Sequence, residues 1–250
     1  MKTIRSYSAK DAGLAGEVHG FSSPLGAFFV AALSGGVVLL LVSILMIGSA
    51  TSAVVIGLAT YLMATVLVAR SLAADFPHAA LGLCNIATLG RLVIVGILLT
   101  ALLHGLAPTW ATFGLAVIAL CLDGVDGWLA RKQGLVSDFG ARFDVEVDAA
   151  FALVLAIFAA VNGAAGMYVM LLGLPYYVFG AARLAWPWLG HALPDSFARK
   201  VVCVFQIAAL IALQVPFLAD GRLDLVILAV TVALFWSFGR DILWLWRHAR

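Results

Sequence analysis

The chain has 250 residues, of which 64% are hydrophobic and 11% charged, with a formal net charge of +2. An ordinary soluble domain is excluded by that composition, and long apolar runs place the chain among polytopic membrane proteins, with no nucleic-acid partner expected. Residues 1–24 are polar and mixed in charge, and no short apolar region with a small-residue cleavage site follows them, so no cleavable signal peptide is expected.

Counted against the roughly 20 residues that a span requires, the apolar runs predict an all-α protein with eight transmembrane helices. They fall at 25–48, 51–70, 86–107, 109–131, 139–162, 166–188, 199–218 and 222–246. The tight connections GSATS, APT, NGAAG and ADGR carry helix-stopping residues. No discontinuous helix pair is apparent. With the N-terminus in the cytoplasm, Lys2, Arg5, Lys10, Arg70, Arg91, Arg131, Lys132, Arg142, Arg183, Arg199, Lys200, Arg240, Arg247 and Arg250 lie on or near that side, against Arg222 outside. Both termini are then cytoplasmic, and the expected location is a bacterial inner membrane.

One stretch breaks the apolar pattern. LDGVDGWLARKQGLVSDFGARFDVEVD, running from Leu122 to Asp148, holds Asp123, Asp126, Asp138, Asp144, Glu146 and Asp148. A carboxylate at bilayer depth costs roughly 2.5–3.5 kcal/mol even on the lenient insertion scale. Asp123 and Asp126 are three apart on one face of the fourth helix. Asp144 and Asp148 are four apart on one face of the fifth. A short loop makes the two helices antiparallel neighbours, so four carboxylates converge near the cytoplasmic face.

The helix dipole opposes Asp123 and Asp126 near the C-terminal end of their helix, and the four carboxylates repel one another. Divalent cations relieve both penalties, and all-oxygen ligation suits Mg²⁺ or Mn²⁺. Gly124 and Gly127 fit close approach of a ligand to the helix backbone. The chemistry read from these residues is phosphoryl transfer. Two other readings stay open: a structural network with Arg131 and Arg142, and a proton or cation path through a transporter. Asp138 reads as a helix cap. Glu146 points away from its neighbours and reads as a partner of Arg142 or Arg131.

The spacing Asp123-x-x-Asp126-Gly127-x-x-Ala130-Arg131, then eight residues, then Gly140-x-x-x-Asp144-x-x-x-Asp148, is similar to the full signature of the CDP-alcohol phosphotransferases. The resemblance implies a six-helix membrane domain over 81–250, with 1–80 an N-terminal segment plus two extra helices. It implies an enzyme that transfers a phosphoryl-bearing group from a CDP-linked donor to an alcohol and releases CMP. Two ions, Mg²⁺ or Mn²⁺, would be held by Asp123 and Asp144 bridging both, Asp126 completing one site and Asp148 the other. Asp148 would also be the general base. Gly127, Ala130, Arg131 and Ser137 would border the donor's CDP moiety. Asn85-x-x-Thr88-x-x-Arg91 resembles the segment that lines the family's nucleotide pocket, although helix capping by Asn85 and Thr88 and snorkelling by Arg91 also account for these residues.

Lys200 and Gln206 resemble the corresponding helix of phosphatidylglycerophosphate synthases. Arg142, Arg183, Arg199 and Lys200 are candidates for an acceptor's phosphate, or they simply obey the positive-inside bias. The expected reaction moves a phosphatidyl group from CDP-diacylglycerol to a small polar alcohol such as glycerol 3-phosphate or an inositol phosphate. The alternatives are a CDP-choline or CDP-ethanolamine enzyme acting on diacylglycerol and, in another class, a cation or proton transporter. The resemblance suggests a homodimer.

Overall fold

The computed structural model describes residues 23–49, 51–191, 196–216 and 223–248. Lys2, Arg5, Lys10, Arg222, Arg250 and the ADGR turn lie outside the described residues. All regular structure among the described residues is helical.

Helical units occupy the eight expected positions. Helices α1 (Pro24–Ile47), α2 (Ser52–Asp75), α3 (Gly82–Leu103), α4 (Trp110–Gln133) and α9 (Asp224–His248) are long and apolar enough to cross a bilayer. Helix α5 (Asp138–Val161) matches them in length but carries Asp138, Arg142, Asp144, Glu146 and Asp148 in its first half. Helix α8 (Phe197–Ala212) has 16 residues, fewer than a full span requires. Local chemistry sets the ends around the acidic stretch. Thr109 and Thr112 form a reciprocal cap at the start of α4, and Gly134, at φ 66°, closes its end in the left-handed conformation.

The sixth unit departs from expectation. It is not one helix over 166–188 but a 3₁₀ turn (Met167–Val169), α6 (Met170–Gly173), α7 (Pro175–Ala185) and a second 3₁₀ turn (Pro187–Gly190), with a bend of 62° between α6 and α7. Pro175 is the physical reason, because proline supplies no N–H and its ring crowds the carbonyl four residues back. Gln206 on α8 donates from Nε2 to the Leu172 carbonyl at 2.5 Å, satisfying an acceptor beside the bend.

Helix α3 is the hub. It is the most buried of the long apolar helices and packs against α1, α2, α4 and α5. The two acid-bearing helices therefore meet through α3. Glycines let α1 and α2 dock closely. A Cβ on Gly57 would lie 2.0 Å from Thr100 Oγ1, and one on Gly96 would lie 2.5 Å from Leu39 Cδ1. The Tyr61 hydroxyl donates to the Ala32 carbonyl at 2.9 Å, pairing a polar group that packing has buried. Leu33, Leu45, Val55, Met63, Leu225 and Leu228 face outward. That inversion of a soluble surface suits helices whose surroundings are acyl chains.

Candidate active site

The site is built from one face each of α3, α4 and α5. Ser137 caps α5: its Oγ accepts from the Gly140 N–H at 3.1 Å. The expected cap, Asp138, is instead the first residue of the helix, where its charge meets the positive end of the dipole. The Ser137 hydroxyl hydrogen is left available to an oxygen outside the helix. A Cβ on Gly140 would meet Ser137 Oγ at 3.3 Å and Asn85 Oδ1 at 3.4 Å, so this glycine allows α5 to come close to α3.

From that start, Asp144 and Asp148 project from α5 toward Arg91 of α3, and Asp123 and Asp126 reach the same guanidinium from α4. Arg91 Nη1 lies 3.0 Å from Asp123 Oδ1, 3.1 Å from Asp126 Oδ2 and 2.5 Å from Asp144 Oδ1. Arg91 Nη2 pairs with Asp148 Oδ1. Arg91 is only 2% exposed, so it does not snorkel to the interface as a lone basic residue at a helix end would. Carboxylate oxygens of Asp123, Asp126 and Asp144 all lie within 4.8 Å of one another. One guanidinium thus faces four carboxylates. Oxygens converging from three residues of two helices are a donor set that fits a hard divalent cation.

Thr88 is a second surprise. Helix α3 begins at Gly82, four residues before the predicted start, so Asn85 and Thr88 lie inside it and cap nothing. Both are buried. Thr88 Oγ1 lies 3.1 Å from Asp126 Oδ2 and 3.1 Å from the Cys84 carbonyl. Its single hydrogen can serve one of them, and an ionised carboxylate is the stronger acceptor. Asn85 donates from Nδ2 to the Leu81 carbonyl at 2.5 Å, and its Oδ1 is directed toward Gly140.

Gly124 and Gly127 are open. A Cβ on Gly124 would meet nothing within 4 Å, and one on Gly127 would meet only the end of the Arg131 side chain, at 3.4 Å. Packing within the chain therefore does not require glycine at either position. Ala130 and Arg131 lie one turn further on along α4.

The four basic residues expected at an acceptor phosphate lie in different surroundings. Arg142 pairs with Asp75 of α2 at 2.6 Å, and Arg199 pairs with Asp241 of α9 at 3.0 Å. Arg183 lies beside Gly190 in the turn after α7, and Lys200 follows Arg199 in the first turn of α8. Glu146 accepts a hydrogen bond from the Tyr176 hydroxyl at 2.7 Å, in place of the expected arginine partner. Asp148 borders two clefts. A narrow one of about 50 Å³ is shared with Arg91, Asp123, Phe151 and Cys203. A larger one of about 170 Å³ is shared with Gly173, Pro175, Tyr176, Gln206 and Phe238, so the bent span forms one wall beside Asp148. Tyr176 and the bend were not foreseen. The only sequence signal for them was Pro175 within an apolar run.

Helical spans long and apolar enough to cross a bilayer, carrying a convergent acidic site with an arginine at its centre, define an integral membrane protein. The family model for CDP-alcohol phosphatidyltransferases matches residues 81–238, from the end of the α2–α3 connection into α9, and the chain belongs to that family. No curated protein and no solved structure matches it. The chain is accordingly a transferase whose family moves a phosphatidyl group from a CDP-alcohol to another alcohol.

Proposed function

We propose that the chain transfers the phosphatidyl group of CDP-diacylglycerol to a small polar alcohol at the cytoplasmic face of a bacterial inner membrane, releasing CMP, as a step of phospholipid synthesis. The convergence of Asp123, Asp126, Asp144 and Asp148 from two helices onto one point carries this reading. Those four would hold two ions, Mg²⁺ or Mn²⁺. When bound, the ions supply charge neutralisation for the donor's pyrophosphate and the departing CMP.

The remaining roles belong to the chain. Asp148 borders the 170 Å³ cleft, where an acceptor hydroxyl would lie beside its carboxylate. The hydroxyl oxygen forms a bond to the phosphatidyl phosphorus, the bond from that phosphorus to CMP breaks, and the hydroxyl proton passes to Asp148. Gly124 and Gly127 leave space along α4 for the nucleotide, and Ala130, small at its position, would border it. Arg131, the Ser137 hydroxyl and Asn85 lie on the helix ends that would face the donor's phosphates and cytidine. Residues 81–250 would form the catalytic domain, with α1 and α2 buttressing α3 from outside the matched region. Arg183 and Lys200 are candidates for an acceptor's phosphate, and Arg142 and Arg199 would join them only if Asp75 and Asp241 release them. A homodimer is part of this proposal.

The largely apolar walls of the 170 Å³ cleft beside Asp148 fit a lipid-bearing substrate, which the CDP-diacylglycerol reading supplies as donor and its rival as acceptor. The rival donors are CDP-choline and CDP-ethanolamine, with diacylglycerol as acceptor. Acyl-labelled CDP-diacylglycerol supplied with single alcohols should pass its label to a new phospholipid. Labelled phospholipid formed only from CDP-aminoalcohols and diacylglycerol would overturn the donor assignment. The bent span removes one argument against a transporter. Another stands: the four aspartates lie within two turns of each other on α4 and α5, at one depth, and do not form a path across the bilayer.

A further inference from the structure

Arg91 holds the position at which carboxylates from two helices converge. Its Nη1 lies within 3.1 Å of oxygens from Asp123, Asp126 and Asp144, and its Nη2 takes Asp148. The residue is 2% exposed, and its Nε–H is buried without a hydrogen-bond partner. A guanidinium seated to satisfy its own donors would not leave one orphaned in the interior. It is held there by the surrounding negative charge.

One positive charge against four carboxylates leaves a large deficit, so the site still attracts divalent ions. Yet an ion bound to these converging oxygens, at metal–oxygen distances of about 2.0–2.2 Å, would lie in contact with Nη1. The two cations compete for one place, by steric overlap as well as by repulsion. We propose that Arg91 is the resident counter-ion of the acidic cluster, that divalent ions load only as its guanidinium gives up these carboxylates, and that the anionic donor promotes loading by offering the guanidinium another partner. The proposal rests on the reading of the aspartates as metal ligands and is independent of which alcohol is the acceptor. It makes Arg91 a positioning residue that sets the order of binding: neither ions nor donor bind well alone, and each favours the other.

The competing arrangements are distinguishable. If Arg91 stays in place while ions use outer oxygens, it acts only as a nearby like charge. If Arg91 organises the ligands for the ions, removing it weakens binding. Substitution by lysine separates these cases, because it keeps the charge but cannot span four carboxylates at once. The test measures Mn²⁺ binding, by the electron paramagnetic resonance of free Mn²⁺, to EDTA-stripped full-length protein in detergent. Wild type, Arg91→Lys and Arg91→Gln are compared with and without CDP, a soluble pyrophosphate nucleotide. Thermal melts are recorded in parallel.

Without CDP, Arg91→Lys should bind Mn²⁺ several-fold more tightly than wild type, and Arg91→Gln roughly tenfold or more, about 1.4 kcal/mol. Arg91→Gln should also melt lower than wild type when metal-free and gain more from Mn²⁺. The enhancement of Mn²⁺ affinity by CDP should be largest in wild type. Arg91→Lys with wild-type Mn²⁺ affinity, or with weaker affinity, would overturn the proposal, and that variant decides the matter even if Arg91→Gln does not fold. Absence of Mn²⁺ binding in all three proteins would instead refute the metal reading of the aspartates.

Discussion

Replacing Thr88 by valine tests whether the acidic cluster works as a unit. The change is nearly isosteric, keeps β-branching within α3 and removes the hydroxyl 3.1 Å from Asp126 Oδ2. Asp126 is the most buried of the four aspartates, 5% exposed, and its other protein partner is Arg91. A hydrogen bond to a charged group contributes about 1.5–3 kcal/mol, and since Arg91 still pairs with the same oxygen in the variant, that one bond is the loss. At 1.4 kcal/mol per factor of ten, Thr88→Val should lower metal affinity or turnover roughly ten- to a hundredfold. That range matches what loss of an outer partner of a metal ligand ordinarily costs. Thr100→Val is the internal control. Thr100 is equally buried on the same helix, but its hydroxyl donates only to the Gly96 carbonyl, at 2.8 Å. The assay is CMP release as a function of Mn²⁺ concentration for both variants. Wild-type rate and metal dependence in Thr88→Val, or equal losses in both variants, would refute the reasoning.

Asp148→Asn should fold, because asparagine retains the shape, and should lose about 10²–10⁴-fold in turnover, as expected for removal of a general base. A melt close to wild type with no CMP release is the expected pair of readouts. Asp144→Asn should abolish turnover in the same folded background. Gly57→Ala places a Cβ 2.0 Å from Thr100 Oγ1 and 3.1 Å from Thr100 Cβ, so it should destabilise the α2–α3 contact by about 1–3 kcal/mol, seen as a lower melting temperature. Gly124→Ala meets no protein atom within 4 Å, so it should leave stability unchanged or raise it by up to about 1 kcal/mol, while raising the KM for the donor. An unchanged KM would mean that no ligand approaches α4 there.

Much of this architecture was legible in the residues. Hydropathy placed the spans because each must satisfy its own backbone in lipid, and the spacing of Asp123, Asp126, Asp144 and Asp148 fixed which helix faces carry charge. What escaped was set by tertiary contacts. A short loop between α4 and α5 suggested direct neighbours, but α3 packs against both and supplies the central cation. Snorkelling stayed open as an alternative for Arg91 because periodicity cannot show that the opposite walls of its cavity are acidic. Helix capping was an alternative reading of Asn85 and Thr88 because the expected start of α3 fell four residues late, hiding the turn that begins at Gly82. The sixth span read as continuous because its composition stays apolar through Pro175, and a proline in a membrane helix kinks it only as far as neighbours compensate. Gln206 provides that compensation here. Glu146 had no visible partner because Tyr176 lies 30 residues away on the far side of that bend.

The most direct measurement is CMP release by the purified full-length protein supplied with CDP-diacylglycerol, Mn²⁺ or Mg²⁺ and single alcohols. The account predicts release that requires the donor, a divalent ion and one acceptor together, and that disappears in Asp144→Asn. Release of CMP that persists in EDTA, or equal release from wild type and Asp144→Asn, would contradict it.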